Sequence, residues 1–171
     1  ALAAALPEPV AEHRADIGKG IVQGMEDSLR RMGRDHVDLF QLHNPLVASD
    51  GGDKLSIDLA LNEVAPALEK LRKDGKTRFI GFSGVGETAA LHRAIDSRLF
   101  DTIQVVYNAL NPSAGSALPK GAPGQDYGRL FDKVKAADMG TIIIRALAGG
   151  ALSGTTDRHP QCTESFAGRR S

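Results

Sequence analysis

The chain has one cysteine, Cys162, no tryptophan, and no excess of either charge: Lys plus Arg number 21 and Asp plus Glu number 21. A single cysteine permits no internal disulfide and suits a reducing, cytoplasmic compartment. Cys162 stands among polar residues with no base beside it, so it reads as a surface thiol rather than a nucleophile. Zero net charge supplies no field that would steer the chain to nucleic acid or to an anionic membrane. The short basic pairs Arg30-Arg31 and Arg169-Arg170 read as solvated surface. No run approaches the ~18 apolar residues of a membrane span. The opening ALAAAL is apolar for only six residues, with nothing basic before it, unlike a signal peptide. His13, His36, His92 and His159 share no spacing that suggests a metal site. The chain opens on alanine rather than methionine, as a processed product or a piece of something longer would.

What is present is a chain of 171 residues, 42% hydrophobic and 25% charged, which suits one globular domain over residues 1–171. Residues 1–15 read as a loop, with Asp16 as an N-cap. Ile17, Ile21, Met25, Leu29 and Met32 form one apolar helical stripe that Gly33 stops. Residues 36–43 are a strand and 44–57 a polar loop. The next helix runs over 58–74, with Leu61, Val64, Leu68 and Leu71 facing the core and Gly75 ending it. Pro66 demands either a place in that helix's first turn or a kink. Strand 77–82, helix 87–97, strand 101–106, a Gly/Pro/Ser-rich loop over 108–125, helix 127–137 and strand 141–145 follow. From Thr155 the pattern is irregular.

Strands alternating with amphipathic helices imply crossovers and a parallel sheet. Two α/β architectures fit, an open doubly wound sheet and a (β/α)₈ TIM barrel. GFSGVG at 81–86 lacks the G-x-G-x-x-G fingerprint of the first. Barrels carry function at the C-terminal ends of strands. Here the strands end on His43-Asn44, Ser83, Asn108 and Arg145, which favours the barrel. A full barrel takes ~200 residues or more, so about four βα units make this one incomplete.

Four stretches carry a resemblance. SLRRMGRDHVDLFQLHNP (28–45), ALEKLRKDGKTRFIGFSG (67–84), IQVVYNALNP (103–112) and GTIIIRALAGGALSG (140–154) occur in one order. They resemble consecutive motifs of the aldo-keto reductases, roughly SLxRLGxDYIDLxxxHxP, a helix ending in G-K before IGxS, QxxYN, and GxxxxxxPLxGGxLxG. The resemblance covers about residues 20–154 and implies the fourth to seventh strands of a barrel. It implies an oxidoreductase that passes hydride between NADP(H), or NAD(H), and the carbonyl of a small, sugar-like or other, substrate. The family's catalytic aspartate, tyrosine and lysine lie on or after earlier strands and have no counterpart here.

Under that resemblance His43 is the histidine that orients the carbonyl, where a donor must reach the oxygen gaining charge. A partly buried structural histidine is the alternative. Ser83 and Gln104 match residues that hold the nicotinamide amide. Ser83 is followed by Gly84 where the family has asparagine. An ordinary post-strand serine and a satisfied core glutamine are the alternatives, although a glutamine in an apolar strand needs partners. Ile144 and Arg145 stand where many members stack an aromatic ring on the nicotinamide. Arg145 suits a cofactor phosphate or a substrate carboxylate, or else a carboxylate inside the barrel. Leu147 and Ala148 open a small-residue turn whose backbone N–H groups would approach a pyrophosphate, or which is a plain turn. Asn44 is expected to face substrate. The contrasting reading is a truncated, non-catalytic barrel piece that binds or scaffolds. Its unpaired parallel edges would invite a homo-oligomer.

Overall fold

The computed structural model describes residues 2–4, 17–49, 51, 53–122, 124–152 and 154. Asp16, His13, His159 and Cys162 lie outside the described residues. Five parallel strands form the main sheet: β1 (Leu2–Ala4), β2 (Val37–Leu42), β5 (Thr77–Ser83), β6 (Thr102–Val106) and β7 (Gly140–Ile144), side by side in that order. A two-stranded parallel pair, β3 (Leu46–Val47) and β4 (Leu55–Ser56), lies in the loop after β2. Strand order in space equals order in the chain, with no reversal point. That is the arrangement of a barrel wall rather than a doubly wound sheet.

Helix α1 (Ile17–Met32) buries Ile17, Ile21, Met25 and Leu29, whereas Met32 at the end of the stripe is exposed. It closes with Gly33 at φ +61°, Gly33 N–H bonding Arg30 O and Arg34 N–H bonding Leu29 O. This paired closure needs a left-handed residue, which glycine adopts without a Cβ clash. The same closure recurs at Gly75, with Lys76 N–H on Leu71 O.

The second helical stretch runs from α2 (Ile57–Leu59) through a π-helical turn (Ala60–Val64) into α3 (Ala65–Lys73). Ser56 caps it, its Oγ accepting from Leu59 N–H at 3.2 Å. Pro66 explains the wide turn. Proline has no N–H for the carbonyl one turn back, and its ring crowds that carbonyl. The π turn absorbs both before α3 begins, leaving Pro66 in α3's first turn. Helix α4 (Thr88–Asp96) buries Ala90, Leu91, Ala94 and Ile95. Helix α5 (Leu130–Ala136) is shorter than the expected 127–137, because Arg129 takes a left-handed φ of +56° at its start.

Two other expectations are corrected. Residues 2–4 are a strand, not loop, because they pair with β2 (Leu2 beside Phe40, Ala4 beside Leu42). Residues 46–47 and 55–56 are strands, not loop, because they pair with one another. Neither piece is long enough to show a period in sequence.

The core fills the helix-covered face of the sheet. Phe40 and Leu42 of β2, Ile80 and Phe82 of β5, and Ile103 and Val105 of β6 are all buried there. Phe82 meets Phe100 edge-to-face, with centroids 5.0 Å apart. Alternate residues point to the opposite face, the interior side of a barrel wall. There Leu39, Gln104 and Ile142 are half-buried and Phe79 is exposed.

Candidate functional site

Register brings three expected residues into one row. Leu42 pairs with Phe82, so the next residue, His43, stands beside Ser83. Ser83 in turn pairs with Gln104. The row crosses β2, β5 and β6 at their C-terminal ends, on the interior face.

His43 Nδ1 lies 2.9 Å from Ser83 Oγ. The serine is buried and the imidazole exposed. When Nδ1 accepts the serine hydroxyl, the neutral ring carries its proton on Nε2. In that sense of the bond Nε2 is the donor. Gly84, which replaces the family's asparagine, lies against β6. Its N–H donates to Gln104 O at 2.6 Å, and a Cβ there would sit 2.6 Å from that oxygen. Glycine is therefore required by packing.

A second row lies one layer below: Gln41, Gly81 and Thr102, with Gln41 paired to Gly81 and Gly81 to Thr102. Gln104 Nε2 donates to Gln41 Oε1 at 2.8 Å, and Gln41 Nε2 reaches Thr102 Oγ1 at 3.4 Å. Sequence reasoning passed over Gln41. The signal was available, since a glutamine between Phe40 and Leu42 needs polar partners as much as Gln104 does.

The loops behind the rows are tied together. Leu46 N–H bonds Val85 O at 2.9 Å and Glu87 N–H bonds Leu46 O at 2.7 Å, fastening the post-β2 loop to the post-β5 loop. Asn44 is buried and its Nδ2 donates to Asp53 O at 3.1 Å, so the chain after His43 is anchored inward. Asn108 links the ends of β6 and β7. Its Nδ2 donates to Arg145 O, while its Oδ1 accepts from Leu110 and Asn111 N–H.

Arg145 lies just past β7, with φ +54° and an exposed side chain. It forms no ion pair with a carboxylate among the described residues, so the internal pairing considered from sequence is not seen. Its guanidinium is close enough to favour ionisation of buried Tyr127, but burial wins and pushes that phenol above its ordinary value. Leu147 is 60% exposed and Ala148 fully buried. The turn they open bonds to itself. The N–H groups of Ala148, Gly150, Ala151 and Leu152 reach carbonyls of Arg145, Leu147, Ala148 and Leu147. Those four donors already have partners inside the turn. Among the described residues no three metal-ligating side chains cluster, and no helix is long and apolar enough to cross a membrane.

A parallel βα wall with polar side chains in rows at its strand ends is a segment of a (β/α)₈ barrel. A model of the aldo/keto reductase family matches residues 8–167, and the chain belongs to that family. Curated relatives include a D-threo-aldose 1-dehydrogenase of Pseudomonas, 36% identical over 104 residues, or 59% of this chain and 29% of that protein. An L-galactose dehydrogenase of Arabidopsis thaliana is 36% identical over 63 residues, 37% of this chain and 18% of that one. Among solved structures, an aldo/keto reductase of Klebsiella pneumoniae in complex with NADP and acetate is 26% identical, with a TM-score of 0.53. That likeness covers 79% of this chain and 41% of the Klebsiella chain. An aldo-keto reductase of Bacillus halodurans shares the fold at a TM-score of 0.60 and 20% identity, over 84% of this chain and 40% of its own. The chain thus spans under a third of the curated relatives and about two fifths of the solved ones.

Proposed function

We propose that this chain forms the part of an NADP(H)-dependent aldo-keto reductase that grips the nicotinamide amide and orients the substrate carbonyl. The row His43–Ser83–Gln104 carries the reading. The cofactor fits these residues on chemical grounds. A nicotinamide amide donates through its NH₂ and accepts through its oxygen. Gln104 bonds Gln41 through one N–H, and its other N–H and its Oε1 have no protein partner among the described residues. They are complementary to that amide. Ser83 is the second amide contact.

Bound NADP(H) supplies the hydride chemistry. The chain's own task is to hold and orient. His43, its Nδ1 beside the Ser83 hydroxyl, presents Nε2–H to the carbonyl oxygen as charge develops there. Asn44, its Nδ2 on the Asp53 carbonyl, fixes the chain directly after His43 at the substrate end of the row. Arg145 is the cation for a cofactor phosphate or substrate carboxylate. Leu147 offers exposed apolar surface beside it, while buried Ala148, its N–H on Arg145 O, holds the turn that presents them. NAD(H) is the alternative cofactor. A small carbonyl or sugar-like compound is the substrate class, in keeping with the aldose and galactose dehydrogenases among its relatives. A cytoplasmic setting goes with the single cysteine.

A second reading has one observation in its favour: the outermost described strands, β1 and β7, leave parallel edges. On this reading the chain is a binding or structural module of one domain. Its edge strands β1 and β7 then support pairing with a second copy. Titration with NADPH, followed by an assay of carbonyl reduction, separates the two. Cofactor binding, with or without turnover, supports the reductase reading. A folded chain that binds no cofactor supports the module.

A further inference from the structure

Gln41 and Gly81 have no part in the roles proposed so far, yet their geometry is specific. Gln41 stands on β2 and its partners Thr102 and Gln104 on β6, two strands away, with β5 between them. The side chain crosses β5 at Gly81. A Cβ on Gly81 would lie 2.2 Å from Thr102 Oγ1 and 3.1 Å from Gln41 Nε2. The missing side chain is the gap through which Gln41 reaches β6.

We infer that Gln41 is a positioning residue that anchors the Gln104 amide where the cofactor meets it. The inference deepens the reading above and rests on Gln104 as a ligand of the nicotinamide amide. A glutamine amide has two orientations, related by a half-turn that exchanges N and O. Gln41 ties it down in either, offering an oxygen to the Gln104 NH₂ end or, after a joint half-turn of both amides, an N–H to the Gln104 oxygen. Thr102, whose hydroxyl both donates and accepts, lies 3.4 Å from Gln41 Nε2 and holds the far end of that side chain. Gln41 is buried, so water does not compete at this contact. Gln104 is therefore held at one place, and the recognised ligand is a carboxamide, which carries both a donor and an acceptor.

The test uses the whole chain in two arms. Side-chain amide exchange at Gln104 is followed by ¹⁵N NMR, with its signal assigned by loss in Gln104→Ala. Gln41→Met keeps the volume and removes the acceptor; it should speed Gln104 NH₂ exchange by about five-fold. Gln41→Glu keeps an acceptor and should leave exchange slow. Unchanged exchange in Gln41→Met overturns the inference. Should that variant not fold, Thr102→Val takes its place, with faster exchange expected and unchanged exchange fatal. The second arm compares NADP⁺ with adenosine 2′,5′-bisphosphate, which carries no nicotinamide. Gln41→Met should weaken NADP⁺ by about five-fold and leave the bisphosphate unaffected. Equal losses for both would mean a merely structural glutamine. If the unaltered chain binds NADP⁺ no better than the bisphosphate, the nicotinamide reading fails, while the exchange arm still decides whether Gln41 anchors Gln104.

Discussion

At the scale of single residues, the row at the strand ends is held by one short contact, His43 Nδ1 to Ser83 Oγ. Ser83→Ala takes that partner away. The imidazole proton should then redistribute between the two nitrogens, and long-range ¹H–¹⁵N spectra of His43 would register a mixed tautomer in place of a dominant one. A tautomer ratio that ignores the substitution would mean the serine does not set the ring. Tyr127 offers a pH signature. Burial raises its pKa above the unfolded value, so the folded chain holds the phenol proton to higher pH than the unfolded chain does. The associated stability is present below the ordinary phenol range and is lost as pH rises through the folded value. Urea midpoints should fall more steeply with alkaline pH in the parent chain than in Tyr127→Phe, and parallel slopes would contradict this. The strand-end places of His43, Ser83 and Gln104 were legible in the sequence because each sits inside a motif with neighbours that fix its strand position. Gln41 sits inside such a motif too. Its part in the site depends on what lies two strands away, and that is a matter of register.

At the scale of elements, the helices declared themselves through apolar spacing and closing glycines, and α1 falls within its expected bounds. The short strands did not, because two or three residues carry no period and are made strands only by their partners. The π turn was half legible: Pro66 announced a disturbance, and packing decided its form. The link between the loops after β2 and β5 depends on Gly86, whose φ is +119°. A Cβ there would lie 2.0 Å from Leu46 O. Gly86→Ala should therefore destabilise the fold by about 2–4 kcal/mol in chemical denaturation, combining a strained backbone with overpacking against main chain. It should also loosen His43 from Ser83. A loss below about 0.5 kcal/mol would show that the loops separate without cost.

At the scale of the molecule, order along the chain and order across the sheet coincide, and this makes the sheet a barrel wall. That could be expected from sequence, because the four strands read there each end on or just before a polar residue, with helices between them. Two surfaces could not be read there. One is the interior face, where Phe79 is exposed beside the polar rows. The other is an apolar groove on the outer side between α5 and β7, lined by Phe131, Val134, Met139 and Ile143 among others. Both depend on what lies next to the sheet. The central claim is that this wall grips the amide end of a nicotinamide cofactor. Its most direct test is an NADPH titration of the 171-residue chain beside Gln104→Ala, with folding checked by circular dichroism and intact mass measured. The account predicts saturable binding that Gln104→Ala weakens by about five- to ten-fold, the worth of one well-placed hydrogen bond. Equal binding by both, or none by a folded chain, would contradict it.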